Sequence, residues 1–253
     1  MLIRRLVLGA GLWFAVGDVA AEEIQIAVAS NFSRVAEILA SRFEETTGHR
    51  VVWIPGSTGK HDAQIRNGAP FDIFLAGDTL HPKMIEDSGL GVQGSRFTYA
   101  LGGLVLWSPR ENYVDGKGSV LETGDFRHLG MANPDLAPYG LAAREALASL
   151  GLWDELQDRT VRGENVGQAF QFVASGNAEL GFVALSQIME PGNRMRSGSY
   201  WLVPQEIYTP IEQQAVLLKD KPAARQFMEF IKGDKARIII QQYGYKAPQD
   251  ESC

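Results

Sequence analysis

Ile24-Gln25-Ile26-Ala27-Val28-Ala29-Ser30-Asn31-Phe32-Ser33-Arg34-Val35-Ala36 decides how the rest of the chain is read. The apolar run to Ala29 predicts a strand, and the small hydroxyl and amide residues after it predict the mouth of a helix. A second junction of this kind follows at Val51-Val52-Trp53-Ile54-Pro55-Gly56-Ser57-Thr58-Gly59-Lys60. Helix N-termini carry unpaired N–H groups and the positive end of the dipole, so two of them facing one cleft make an anion site. Behind an export leader, that pattern points to capture of a solute rather than its transformation.

The leader occupies residues 1–21. Arg4 and Arg5 form its basic start, Leu6 to Val16 its apolar run, and Val19-Ala20-Ala21 a small-residue cleavage site, so the mature chain is expected to begin at Glu22. The apolar run is too short for a membrane anchor, and the cleavage site has no cysteine for a lipid. A periplasmic protein is the expectation. Cys253, the last residue, is the only cysteine, which excludes an internal disulfide and a thiolate metal cluster. The formal charge is −6, and loss of Arg4, Arg5 and Asp18 with the leader makes it −7. Such a field attracts neither nucleic acid nor anionic membrane, so bound anions must be held by local dipoles.

Working outward, strand and helix patterns alternate, which predicts an α/β protein with mostly parallel sheets. Strand Ile24–Ala29 leads to a helix near Ser33–Thr46, closed by Gly48. Strand Val51–Ile54 leads to a helix near His61–Asn67, and strand Asp72–Leu75 to one near Pro82–Ser88. Tyr99–Trp107 reads as a crossing strand. Beyond it come strand His128–Ala132, a loop to Gly140, helix Leu141–Leu150, a helix opened by Glu164-Asn165-Val166, and strand Leu180–Leu185. Ile207–Lys219 is the expected return, and Pro222–Lys232 and Lys235–Tyr243 the closing helices. Lobe I is thus expected over 22–100 and 208–253, lobe II over 101–207, with hinges near Tyr99–Gly103 and Gln205–Ile211 and the ligand between the lobes.

Ser30, Asn31 and Ser57 are candidate ligand donors at the C-terminal edge of a sheet, where open α/β folds bind their ligands. Serine and asparagine are equally ordinary helix caps, and the pattern alone leaves both readings open. Tyr139, between Pro138 and Gly140 at a helix start, is either a cleft donor or a loop aromatic; Val166 has only its backbone N–H to offer. Gly56-Ser57-Thr58-Gly59-Lys60 is not a phosphate loop, because Ile54 stands where its first glycine belongs and His61 where Ser or Thr holds magnesium. Lys60 is expected on the solvated side of its helix. His49, His61, His81 and His128 lack metal-ligand spacing and read as surface residues. No Gly-x-Ser-x-Gly elbow supports a hydrolase.

At these residues the chain resembles the periplasmic molybdate-binding proteins of ABC importers, the ModA family. The resemblance runs through VAVASNF, GSTGKHDAQIRNGAPFDIFLAGD, APYGLAAREALASLGLW and GENVGQAFQFVASGNAELGFVAL to the closing helices. It implies a type II, two-lobed periplasmic binding protein that clasps molybdate or tungstate, has no cofactor, catalyses nothing, and acts as a monomer that hands its ligand to an inner-membrane permease. It further implies hydroxyl and backbone donors at Ser30 and Ser57 and the N–H groups of Gly77 and Val166, without a cationic side chain. Many members have alanine at Tyr139 and a tyrosine at Ala184, so the chain is similar to an Asn/Tyr variant in which Asn31 is unusual and the Tyr139 phenol stands in for the missing one. Some seven charge-assisted hydrogen bonds, each worth about 1.5–3 kcal/mol, suffice for tight capture after desolvation and closure costs. A donor-only pocket suits ionised molybdate, tungstate or sulfate; protonated phosphate needs an acceptor, and Asp78 is expected to cap a helix instead. Sulfate, thiosulfate or another oxyanion is the alternative ligand, and an exported α/β hydrolase the alternative class.

Overall fold

The computed structural model describes residues 21–192 and 194–248; all of the leader but Ala21, and the tail from 249, lie outside them. The chain opens with β1 (Glu23–Ala29), a 3-10 turn at Ser30–Phe32 and α1 (Ser33–Thr47). Two more strand–helix units follow: β2 (Arg50–Gly56) with α2 (Thr58–Arg66), and β3 (Ile73–Leu75) with α3 (Leu80–Asp87). Period-two alternation sorts β1 between two cores. Ile24, Ile26 and Val28 pack with α1, while Ala27 packs on the other face with Ile65 of α2 and Ile85 of α3. On α1, Val35, Leu39 and Phe43 form the buried stripe, and Gly48 ends the helix in the left-handed region at φ 74°.

Tyr99–Trp107 is two strands rather than one: β4 (Phe97–Gly102) in the first sheet and β5 (Leu104–Ser108) in the second, separated only by Gly103. Then come α4 (Val120–Thr123), β6 (Leu129–Ala132), α5 (Pro138–Ser149), α6 (Trp153–Leu156), β7 (Thr160–Gly163) and α7 (Val166–Ala174). β8 (Leu180–Ala184) runs into α8 (Leu185–Ile188), the two-residue strands β9 (Met189–Glu190) and β10 (Arg194–Met195), which pair with each other, and β11 (Ser199–Leu202). The chain re-enters the first sheet as β12 (Ile211–Leu217). It ends with α9 (Pro222–Lys232) and α10 (Asp234–Gln242), which pack through Phe227, Ile231 and Ile240 on the core of β1.

Each sheet has five strands, ordered β2-β1-β3-β12-β4 and β11-β5-β8-β6-β7. The expectation of mostly parallel sheets is corrected: β12 runs antiparallel to β3 and β4, and β5 runs antiparallel to β8 and β11. The reason is connectivity. β5 and β12 enter their sheets from the other lobe instead of through a crossover helix, so the handed rule that enforces parallel pairing does not bind them. Two helices also begin earlier than their apolar periodicity predicts, α2 at Thr58 and α5 at Pro138. Proline is favoured in a helix's first turn, and Ser57 caps α2.

Candidate functional site

Three helix starts converge where the lobes meet, and the two serines there share one hydrogen-bond role in different settings. Ser57, extended at φ −83° and ψ 147°, caps α2 with its Oγ accepting the Lys60 N–H at 3.3 Å. Ser30 Oγ accepts the Gly167 N–H of α7, from the other lobe, at 3.1 Å. A hydroxyl that accepts one protein N–H keeps its own proton to give. Both serines are therefore wired to donate. Val166 is the first residue of α7, so its N–H has no carbonyl a turn earlier to accept it. Asn165 caps that helix through Gln168 N–H at 3.1 Å. Gln187 braces it, donating to the Val166 carbonyl at 3.1 Å while accepting the Ala184 N–H at 2.9 Å.

The remaining candidates occupy the walls and the hinge. The Gly77 N–H donates to Thr58 Oγ1 at 2.9 Å, so its proton is taken by protein, and Thr58 is a hydroxyl that sequence reasoning passed over. The Asn31 amide is likewise occupied, donating to Gln213 Oε1 and to Tyr245 Oη, each at 2.9 Å. Its carbonyl accepts from Ser186 Oγ at 3.0 Å and Tyr245 Oη at 2.9 Å. Tyr139 is a buried residue in the first turn of α5, not a loop aromatic. Its phenol accepts from Gln213 Nε2 at 3.4 Å and lies against Gly102, where a Cβ would come within 2.2 Å of the oxygen. Gly102 is thus needed for the close approach of the two lobes. Burial holds the Tyr139 phenol well above its ordinary pKa, so it stays protonated.

Lys60 is exposed on its helix, as expected, and its side chain has a partner that the sequence did not reveal. It reaches across the cleft to Glu164, with Nζ at 3.0 and 2.9 Å from the carboxylate oxygens. The backbones also touch, Gly59 N–H donating to the Leu136 carbonyl at 3.0 Å. Asp78 accepts the His81 N–H in the first turn of α3 at 3.0 Å, as its capping role predicts. The surface reading of the histidines fails at His49 and His61, both buried, the latter edge-on to Phe71 and Phe74. Burial lowers the His61 pKa, against the opposing Gln64 hydrogen bond, and the ring stays neutral. At His81 burial pulls the pKa down, but the Asp78 hydrogen bond and charge outweigh it and raise it. Among the described residues no group of three or more His, Cys, Asp or Glu side chains is placed to hold a metal ion. The site is a set of neutral donors at helix ends, suited to an anion that only accepts.

Residues 24–246 match the family described as bacterial extracellular solute-binding protein. The chain is 50% identical over 241 residues to the molybdate-binding protein ModA of Azotobacter vinelandii, covering 94% of each. It is 44% identical over 243 residues to ModA of Rhodobacter capsulatus, covering 95% of this chain and 92% of that one. The solved Azotobacter vinelandii periplasmic molybdate-binding protein superposes with a TM-score of 0.87 at 45% identity, over 89% of this chain and 100% of the other.

Proposed function

The chain belongs to the bacterial extracellular solute-binding proteins, among the ModA molybdate-binding proteins, and from that premise we propose that it captures molybdate in the periplasm for an ABC permease. It catalyses no reaction. The observation that carries this reading is the common role of Ser30 and Ser57, each accepting a protein N–H while keeping its own O–H for a ligand. The oxyanion sits between the lobes, held by the hydroxyls of Ser30 and Ser57 and the N–H of Val166. Asn31, Gly77 and Tyr139 complete the enclosure. Asn31 does so through its backbone, since its amide protons are already given away. Tyr139 and Ala184 share one packed core, which supports the phenol replacing the one absent at Ala184.

Tungstate, nearly the same size as molybdate, binds alongside it, and the protein acts as a monomer. The leader ends at Ala21; lobe I comprises 22–102 and 208–248 and lobe II 103–207, the first boundary moved from 100 because β4 runs to Gly102 in the first sheet, so closure turns at the two crossings. Calorimetric titration of ligand-stripped protein tests the function. One-to-one binding of molybdate and tungstate, with sulfate and phosphate silent, is the expected result; binding of sulfate alone transfers the site to another oxyanion.

A further inference from the structure

The Lys60–Glu164 pair joins residues 104 positions apart, one on each side of the cleft. Each belongs to the start of an anion-facing helix. Lys60 gives its N–H to the Ser57 cap, while Glu164 stands one residue before the Asn165 cap and gives its N–H to Gln168 Oε1 at 2.8 Å. The side chains are 50% and 34% exposed, so the pair lies at the rim, not in the floor. Exposed ion pairs add little to stability, and holding the fold together is a poor account of this one. Its placement has another consequence. When the lobes part, Glu164 is left as a bare carboxylate beside a helix end that must receive a dianion, in a chain of net charge −6. Lys60 is the opposite charge at the same mouth.

We propose that Lys60 is a gate charge for the oxyanion: it offsets Glu164 while the cleft is open, speeding entry, and on closure folds onto that carboxylate and covers the mouth. Both are positioning residues, and the proposal rests on the oxyanion reading above. The sign of each variant follows from its net charge at the rim. Wild type and the double variant Lys60→Met/Glu164→Gln are neutral there, Lys60→Met is negative and Glu164→Gln positive. With an effective dielectric of about 40 and a separation of about 10 Å, one unit charge changes the capture of a dianion on the order of ten-fold in dilute salt. At about 0.15 M salt, with a Debye length of about 8 Å, the effect shrinks to about two-fold.

Stopped-flow tryptophan fluorescence with molybdate, in dilute and in physiological salt, reads association and dissociation separately. The expected order of association rates is Glu164→Gln fastest, wild type and the double variant alike, and Lys60→Met slowest by about ten-fold in dilute salt. Lys60→Arg should keep the wild-type rate, and melting temperatures of all variants should coincide. Equal weakening by both single variants, which a plain clasp would give, overturns the proposal, as does a Lys60→Met rate equal to wild type in dilute salt. A wild-type protein that takes up no molybdate at either salt overturns the oxyanion reading itself and the gate with it.

Discussion

Replacing Ser30 with alanine removes two interactions that exist together only in the closed, loaded state. The first is the hydroxyl's own donation to the anion, a charge-assisted bond worth about 1.5–3 kcal/mol. The second is acceptance of the Gly167 N–H, which lies 3.1 Å away across the cleft. Its loss strands a backbone donor where the lobes meet, at a cost of about 1–3 kcal/mol. Together they weaken capture by about 3–5 kcal/mol, or about two to three and a half powers of ten in Kd. In the open protein the Gly167 N–H turns to water, so the melting temperature without ligand should barely move. Ser57→Ala provides the contrast. Ser57 caps α2 whether the cleft is open or closed, so its loss lowers both affinity and ligand-free stability, the latter by about 0.5–2 kcal/mol. Calorimetry for Kd and thermal melts with and without molybdate separate the two cases. Ser30→Ala binding within three-fold of wild type, or with ligand-free stability falling as far as affinity, would refute the reasoning.

Other consequences follow from the hinge and the buried histidine. Gly102→Ala drives a methyl to 2.2 Å from the Tyr139 oxygen and should destabilise the protein by about 1–3 kcal/mol, with Tyr139→Phe recovering part of the loss in a thermal melt. Tyr245→Phe deprives the Asn31 amide of an acceptor and the Asn31 carbonyl of a donor; chemical denaturation should read a loss of about 1–3 kcal/mol. His61 has a folded pKa below its ordinary 6.5, so its stabilising contribution is complete above that value and is lost as pH falls towards the lowered one. Melting temperature should therefore drop on acidification below about pH 6.5, and less steeply in His61→Gln. The raised His81 pKa acts in the opposite sense in both proteins, so a His61→Gln profile falling as steeply as wild type would remove His61 from the account.

Local chemistry was legible in the sequence, and lobe-to-lobe contact was not. β1, α1 and Gly48 announce themselves through alternation, helical spacing and a glycine stop, and Ser57 through its capping position. The short, half-polar strands Thr160–Gly163 and Ser199–Leu202 carry too little periodicity to stand out. Antiparallel pairing at β5 and β12 depends on which lobe the chain arrives from, and periodicity is silent about that. His61 looked like a surface residue beside Lys60, yet one step around a helix turns a side chain by about 100°, into the core between Phe71 and Phe74.

The site divides in the same way. Asn31 as an amide at a helix mouth was visible, but its partners Gln213 and Tyr245 lie 182 and 214 residues downstream. Thr58 shares the hydroxyl-rich turn with Ser57, a signal that could have flagged it; its bond to the Gly77 N–H needed the fold. Lys60 is solvated as its position predicts, but its partner Glu164 lies 104 residues away, a pairing that only the fold reveals.

The central claim is that a tetrahedral dianion sits between helix ends of the two lobes, held by neutral donors. Anomalous diffraction from crystals grown with tungstate tests it most directly, because tungsten marks its own position. The account predicts one strong peak within hydrogen-bonding range of Ser30 Oγ, Ser57 Oγ and the Val166 N–H, with its oxygens touching no lysine or arginine. A peak seated on cationic side chains, or outside the cleft, would contradict it.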